Sequence, residues 1–465
     1  MTAPSNPRRE LPEAIVDRAM DRAAGSRPIP GNRLTLLFDG PQIYPAMLDR
    51  IARATRWIHL DMYIFRSDET GRIFADALEA RARAGVAVRV MTDWLGSLTT
   101  RRSMWRRLRN AGAGIRLFNP PRPLRLGDNL SRDHRKLLVV DGETAVVGGH
   151  CIGNEWSGNP KARRQPWRDT ALAMDGPAAL SCDRAFAVPW NAVGNPLDES
   201  EFATETSPVG PSEVRVVAGE PGGVRAARAT ELLLAGAAER VWITDAYLVA
   251  PRGIFQAMKD AARGGVDVRV LVPGKSDLPR VQTLTRIGYR ELLEAGVRIF
   301  EWRGPMLHAK TIVVDGRWVR IGSTNLNLSS LLGNYEIDVL SDDVPLAHAM
   351  EVQYRKDLDR SVEIKYRDAE TRRPRRALAA FPLGPPVEEL GHKPGLRERR
   401  NRAALALWAV VSGARRAVFL QYSLVLTVVG IFFLFFPRTM AAIFGVVSLW
   451  LAVAAWMESR GPLKR

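Results

Sequence analysis

Apolar and polar positions follow two periods along this chain, and the order in which those periods succeed one another occurs twice. Trp57-Ile-His-Leu-Asp-Met-Tyr-Ile-Phe is an aromatic and aliphatic run of strand length. Ile73 to Arg83 then places apolar residues at helical spacing, and Gly85-Val-Ala-Val-Arg-Val opens a second strand. The same succession returns as Val241-Trp-Ile-Thr-Asp-Ala-Tyr-Leu-Val, Ile254 to Arg263 and Gly265-Val-Asp-Val-Arg-Val. Each copy predicts a βαβ unit. Each continues through a second helical stretch, Ser103 to Asn110 and Arg286 to Ala295, into a short strand, Ile115-Arg-Leu-Phe and Val297-Arg-Ile-Phe. A His-x-Lys strand and an Asp-Gly turn close both.

The repeat is far longer than a solenoid unit, so it marks a duplicated domain. The expected fold class is α/β, with two similar halves of mixed β-sheet flanked by helices. Boundaries follow from composition: a mixed basic and acidic tail over 1–30, a first half over 31–195, a linker over 196–213 rich in Pro, Ser, Glu and Thr, and a second half over 214–360. Residues 361–416 are basic and proline-containing and read as a tether. Within them Ala403–Ala414 is apolar but too short to span a bilayer, so it is expected in the membrane interface.

The pattern changes again at 417–457. Val418–Phe436 and Thr439–Met457 are uncharged and apolar, each just long enough to cross hydrocarbon as a helix, and they predict a transmembrane hairpin. Arg415 and Arg416 precede it and Arg460, Lys464 and Arg465 follow it, while Arg438 alone lies in the turn beside Pro437. That bias places both ends and the catalytic region on the cytoplasmic side. The first thirty residues mix arginines with Glu10, Glu13, Asp17 and Asp21 and hold no apolar core of signal-peptide length, so secretion is not expected.

A chain of 465 residues with 46% hydrophobic residues can bury two cores, which excludes a disordered protein. The formal charge of +17 favours polyanions, either nucleic acid or an anionic membrane. The hairpin argues for the membrane and against nucleic acid. Two cysteines, Cys151 and Cys182, supply neither a disulfide framework nor metal-ligand spacing, so no metal and no cofactor is expected. No obligate protein partner is evident.

Chemistry concentrates at the repeated His-x-Lys strands. The first copy reads His134-Arg-Lys136-Leu-Leu-Val-Val-Asp141-Gly and then Gly148-Gly149-His150-Cys151; the second reads His308-Ala-Lys310-Thr-Ile-Val-Val-Asp315-Gly and then Gly322-Ser323-Thr324-Asn325. Strand alternation puts each His on the same face as its Lys. An imidazole that attacks phosphorus beside an ammonium that compensates the non-bridging oxygens is a metal-free arrangement for phosphoryl chemistry. Asp141 and Asp315 precede glycine at strand ends, where a structural turn role is expected. One such pair arises by accident on a solvated strand. Of the six histidines only His134 and His308 have Lys two and Asp seven positions on, and both stand at the same place in the repeat.

At these residues the chain resembles the phospholipase D superfamily, whose signature is His-x-Lys-x4-Asp followed by Gly-Ser or Gly-Gly and a nearby Asn. It is most similar to bacterial cardiolipin synthases, through Asp61-Met-Tyr-Ile-Phe, Asn154-Glu155-Trp156, Trp167-Arg168-Asp169-Thr170 and Asn334-Tyr335-Glu336 as well. The resemblance covers roughly residues 32–360. It implies that the halves form one catalytic unit with both motifs at their interface. It also implies a nucleophile carried to His134, an acid and then base at His308, phosphate contacts from Lys136, Lys310, Ser323 and Asn325, and orienting carboxylates at Asp169 and Glu336. One departure stands out: Cys151 occupies the place of the first motif's Asn, and a thiol is a poor substitute for an amide donor.

The implied activity is phosphatidyl transfer between two phosphatidylglycerol molecules at a bacterial inner membrane, giving cardiolipin and glycerol through a phosphatidyl-histidine. The rival readings are a phosphodiesterase that hydrolyses phospholipid or nucleic acid, and an inactive scaffold that binds anionic lipid. Arg101, Arg102, Arg106, Arg107 and Arg109, followed by Arg122, Arg125 and Arg132, form either a solvated helix face or a headgroup-docking patch.

Overall fold

The duplication seen in the sequence is carried into three dimensions by a computed structural model, which describes residues 13–121, 131–159 and 164–365. The first half contributes strands β1 (Ile29–Phe38), β2 (Trp57–Met62), β3 (Ala87–Asp93), β4 (Gly114–Phe118), β5 (Lys136–Val140), β6 (Thr144–Gly148) and β7 (Thr170–Asp175). The second contributes β8 (Ser212–Gly219), β9 (Arg240–Thr244), β10 (Asp267–Pro273), β11 (Arg298–Trp302), β12 (Thr311–Val314), β13 (Trp318–Gly322), β14 (Glu336–Asp342) and β15 (Ser361–Ile364).

Their order is β15-β11-β10-β9-β12-β13-β14-β8-β1-β7-β6-β5-β2-β3-β4. Read outward from the β8–β1 junction, where Ile29 pairs with Val214 and Asn32 with Ser212, the two arms run through equivalent strands in the same sequence. β2, β3 and β4 are parallel, as are β9, β10 and β11, and the other pairings are antiparallel. The mixed sheet with flanking helices is the α/β architecture expected.

Period-2 alternation explains how the arms pack. Leu138 and Val140 of β5 enter the core beneath the helices Asp39–Arg53 and Glu69–Arg83, whereas Leu137 and Val139 face the other way. There they meet Val313 of β12, Val319 and Ile321 of β13, and Ile337 and Val339 of β14. The inner faces of the two halves therefore share one core. Each Leu or Val buried there contributes about 1.5–3 kcal/mol, so a dozen such side chains hold the halves together far more firmly than a polar domain interface would.

Three segments differ from their sequence reading. Within the segment 13–30, Glu13–Ala24 is a helix whose Met20 and Ala24 enter the second half's core, while Arg215 reaches back to Asp17 and Asp21. Its apolar stripe is too short to announce itself among so many charges. The linker over 196–213 lies along the first half, with Glu201 buried against Arg89 and His59. The tether's first residues, 361–364, form edge strand β15 on β11. Among the described residues no helix is long and apolar enough to cross a membrane, and the stretches 418–436 and 439–457 lie outside them.

Candidate active site

Both motif histidines sit just before their strands, and each is hung on the opposite half. The His134 amide donates to the carbonyl of Tyr335 at 2.9 Å, and the His308 amide to the carbonyl of Arg168 at 2.7 Å. Short parallel bridges, Asp133 to Tyr335 and Arg168 to Leu307, lie beside them. These bridges bring the residue following each contact, Glu336 or Asp169, against the imidazole of the other half.

The result is a crossed pair. His134 Nδ1 lies 2.9 and 3.1 Å from the two carboxylate oxygens of Glu336, and His308 Nδ1 lies 3.0 Å from Asp169 Oδ2. Along the chain each carboxylate follows the histidine of its own half; in space each serves the other's. Glu336 is itself held by the Ser323 hydroxyl, which accepts from the Ile337 amide at 2.9 Å. Asp169 accepts from the Trp156 indole at 3.1 Å and from the Thr170 amide at 2.8 Å. Ser323, expected at a phosphate, thus spends its one proton on a carboxylate.

The lysines behave as alternation requires. Lys136 Nζ donates to the His134 carbonyl, and Lys310 Nζ donates to the His308 carbonyl and lies 3.0 Å from His308 Nδ1. Asp141 and Asp315 stand at the far ends of β5 and β12. Each has positive φ, 55° and 51°, followed by a left-handed glycine, which is the backbone of a type I′ hairpin. Their carboxylates bind backbone amides, Asp141 those of Thr55, Arg56 and Trp57 and Asp315 those of Ala238, Glu239 and Arg240. They set the register at which β2 and β9 begin.

Burial decides the charge states. Loss of solvent pulls His134 and His308 down to about 4 against the opposing pull of Glu336 and Asp169, with Lys136 and Lys310 adding to the descent. Burial likewise lowers Lys310 to about 8. Asp169 and Glu336 are buried, which alone would raise them, yet their histidine and lysine neighbours hold both below the ordinary carboxylate range. A neutral imidazole that donates from Nδ1 to a carboxylate presents the Nε2 lone pair, the form suited to attack or to accept a proton.

Two tyrosines at the site were given no role by the sequence. The ring of Tyr63 stands edge-on to His134 at 4.8 Å, and that of Tyr247 edge-on to His308 at 5.9 Å. The signal was present: both tyrosines follow the equivalent Asp61 and Asp245 by two positions in the repeat. Asp61 and Asp133 are fully buried near Arg135 and Lys136, and burial raises both above the ordinary carboxylate range. Asn325 Nδ2 lies 3.4 Å from Ser330 Oγ, and its Oδ1 is buried with no partner among the described residues. Cys151 is packed in the first half's core, and burial pushes its thiol up. His150 contacts Met47 Sδ at 3.1 Å through Nε2. Among the described residues no cluster of three or more His, Cys, Asp or Glu is placed to hold a metal ion.

The family described as cardiolipin synthase, PLD-like domain, matches residues 47–155 and 232–358, one segment in each half. The chain belongs to that family. The major cardiolipin synthase of Bacillus subtilis is 31% identical over 347 residues, which cover 72% of this chain and 71% of that protein. A cardiolipin synthase of Listeria innocua is 30% identical over 340 residues, covering 72% and 70%. The crystal structure of phosphatidylserine synthase from Haemophilus influenzae superposes with a TM-score of 0.59 at 15% identity, over 75% of this chain and 92% of that one, a likeness of fold. The two matched segments contain His134 and Lys136 in the first half and His308, Lys310 and Asn325 in the second.

Proposed function

We propose that the protein is a phosphatidyltransferase that makes cardiolipin and glycerol from two molecules of phosphatidylglycerol. The observation that carries this reading is the crossed pairing of His134 with Glu336 and His308 with Asp169, which leaves two neutral imidazoles oriented from opposite halves of one shared interface. His134 Nε2 attacks the phosphorus of the first lipid. His308, charged once the anionic phosphodiester enters and raises its proton affinity, protonates the departing glycerol oxygen. Lys136, Lys310 and the Asn325 amide hold the non-bridging oxygens of the phosphatidyl-histidine. His308, now neutral, takes the proton of a headgroup hydroxyl on the second phosphatidylglycerol, whose oxygen displaces His134 and forms cardiolipin.

Substrate and anchor fit one another. Lipid substrates, the excess positive charge and the apolar stretches 418–436 and 439–457 support an enzyme held at the bacterial inner membrane by a transmembrane hairpin, with catalytic halves and both termini on the cytoplasmic side. The test is to incubate the purified full chain with labelled phosphatidylglycerol in detergent and resolve the products. Cardiolipin with release of one glycerol is the expected result. Phosphatidic acid in its place would make the protein a hydrolase, nicking of a plasmid run alongside would make it a nuclease, and no product at all would leave an anionic-lipid scaffold.

A further inference from the structure

Among the described residues eight large apolar side chains face water, and two of them occupy equivalent places in the repeat. Leu98 lies in the loop after β3 and is 56% exposed; Leu278 lies in the loop after β10 and is 48% exposed. Both loops are pinned to the segment that carries a tyrosine of the active site. Ser97 Oγ accepts from the Phe65 amide at 3.1 Å and donates to the Tyr63 carbonyl at 3.4 Å, and the Thr100 hydroxyl donates to the Phe65 carbonyl. In the second half Tyr247 donates its hydroxyl to Asp277 at 2.8 Å, and the Leu278 amide donates to Ser276 Oγ at 3.1 Å. Tyr63 and Tyr247 touch His134 and His308. The exposed leucines are therefore held, one per half, in loops hydrogen-bonded to the segments that carry Tyr63 and Tyr247.

Charge follows the same placement. On the helix Arg102–Asn110, Arg107 is tied to Asp76 and Glu79, and on the helix Pro279–Ile287, Arg286 is tied to Glu301. Arg101, Arg102 and Arg106 beside Leu98, and Lys275 and Arg280 beside Leu278, are exposed and have no acidic partner among the described residues. Ile287, at the end of the second helix, is 52% exposed. An apolar tip ringed by unpaired cations suits the boundary between acyl chains and anionic headgroups; a nucleic acid would use the cations and leave the leucines in water.

We propose that the loops 94–100 and 274–280 are two prongs that seat the mouth of the active site on an anionic bilayer. Leu98 and Leu278 enter the acyl boundary while Arg101, Arg102, Arg106, Lys275 and Arg280 pair with lipid phosphates. The inference rests on the reading that the substrates are bilayer lipids. Two prongs, one beside each histidine, hold the shared site level with the headgroups of both lipids it joins.

The experiment uses the full chain reconstituted in vesicles of phosphatidylglycerol and phosphatidylcholine. A polarity-sensitive fluorophore is attached at Leu98→Cys, Leu278→Cys or Val344→Cys. Native Cys151 and Cys182 are buried and leave these sites selective. Val344, 58% exposed, follows the end of β14 remote from Glu336 and serves as the water-facing control. Nitroxide-bearing lipids should quench the labels at 98 and 278 and not the one at 344. Labels at 98 and 278 quenched no more than the control, or responding to plasmid DNA and not to vesicles, would overturn the proposal.

A second arm separates docking from folding: the Leu98→Ser/Leu278→Ser double variant should lose about tenfold in turnover of vesicle lipid and keep wild-type turnover of a short-chain phosphatidylglycerol dissolved as monomer. Equal loss on both substrates, or loss on neither, would refute the role. Labels that bury in vesicles whose lipid is never converted would sink the transferase reading and leave the prongs standing.

Discussion

The two halves of the site began as one design and no longer match. His134 shares its Nδ1 with both oxygens of Glu336, while Lys136 is turned to a backbone carbonyl. His308 has Asp169 on one side of Nδ1 and Lys310 on the other at equal distance, 3.0 Å, and two indoles, Trp156 and Trp167, within 5.6 Å of its ring. Beneath the first histidine lies the buried Asp61 and Asp133 pair. The second half replaces Asp133 by Leu307, and Asp245 there is satisfied by the amides of Tyr247 and Leu326. The duplicated scaffold brings one imidazole from each half to the shared interface, and under the proposed mechanism the residues around each decide which attacks and which moves protons.

The largest expected effect breaks the comparison at its centre. His134→Ala and His308→Ala should each lower turnover of phosphatidylglycerol by at least about a thousandfold, but they should fail at different steps. With a phosphatidyl ester whose leaving group needs no protonation, His308→Ala should accumulate a phosphatidyl-enzyme detectable by mass spectrometry, and His134→Ala should form none. An adduct in the second variant and not the first would exchange the roles; activity near wild type in either would end the two-histidine mechanism.

Next come the crossed carboxylates. Glu336→Gln and Asp169→Asn keep shape and remove the acceptor charge that fixes each imidazole's tautomer, so kcat should fall by roughly a hundredfold with little change in KM. Because the partners are exchanged between halves, Glu336→Gln should reproduce the defect of the His134 site, slow formation of the adduct, and Asp169→Asn should reproduce slow leaving-group departure. Defects assigned the other way would mean that each carboxylate serves the histidine of its own half in solution.

How much of this was legible beforehand follows from what kind of information each feature needs. The strands, the duplication and the His/Lys faces are local: period two, a Gly-Val step and an i, i+2 spacing state them without reference to the rest of the chain. The exchange of Asp169 and Glu336 is not local, since spacing along the chain says nothing about which half a side chain faces across an interface. Ser323 shows the same limit, because only the fold puts its hydroxyl on Glu336. The helix Glu13–Ala24 was hidden by composition, its few core residues scattered among arginines and carboxylates that pair with Arg215. Tyr63 and Tyr247 were visible as repeated residues but carried no chemical label until their rings stood against the imidazoles.

The pH profile sharpens the contrast between the lysines. Lys310 is held down to about 8 by burial, so it loses its proton, and with it the charge proposed to support the phosphatidyl oxygens, as pH rises through that value. His134 must be neutral to attack, and burial keeps it so well below the ordinary 6.5. Adduct formation from the ester whose leaving group needs no protonation, where His308 need not be charged, should therefore hold as pH falls through 6.5 and decline above about 8. In Lys310→Arg, whose guanidinium does not titrate there, whatever activity remains should lose the alkaline decline. A decline that persists unchanged in that variant would assign it to another group.

The smallest effect is the most particular to this chain. Cys151 and Asn325 occupy equivalent positions after Gly148-Gly149 and Gly322-Ser323, so the second half offers an amide where the first offers a thiol that burial keeps protonated. A thiol is a weak donor, and if Lys136 and Lys310 with Asn325 already hold the phosphate, its contribution is slight. Cys151→Asn restores a donor at a site enclosed by Tyr44, Ile152 and Trp156, where the extra polar atoms gain a partner only when phosphate is bound. The variant should keep or raise turnover, by no more than about threefold, with the change in KM and not in kcat. Asn325→Cys, the reverse exchange, should cost more, because it removes the sole amide of the pair. Equal losses in both would mean that the two halves grip the phosphate alike, and complete loss in Cys151→Asn would give the thiol a task that its buried, protonated state does not suggest.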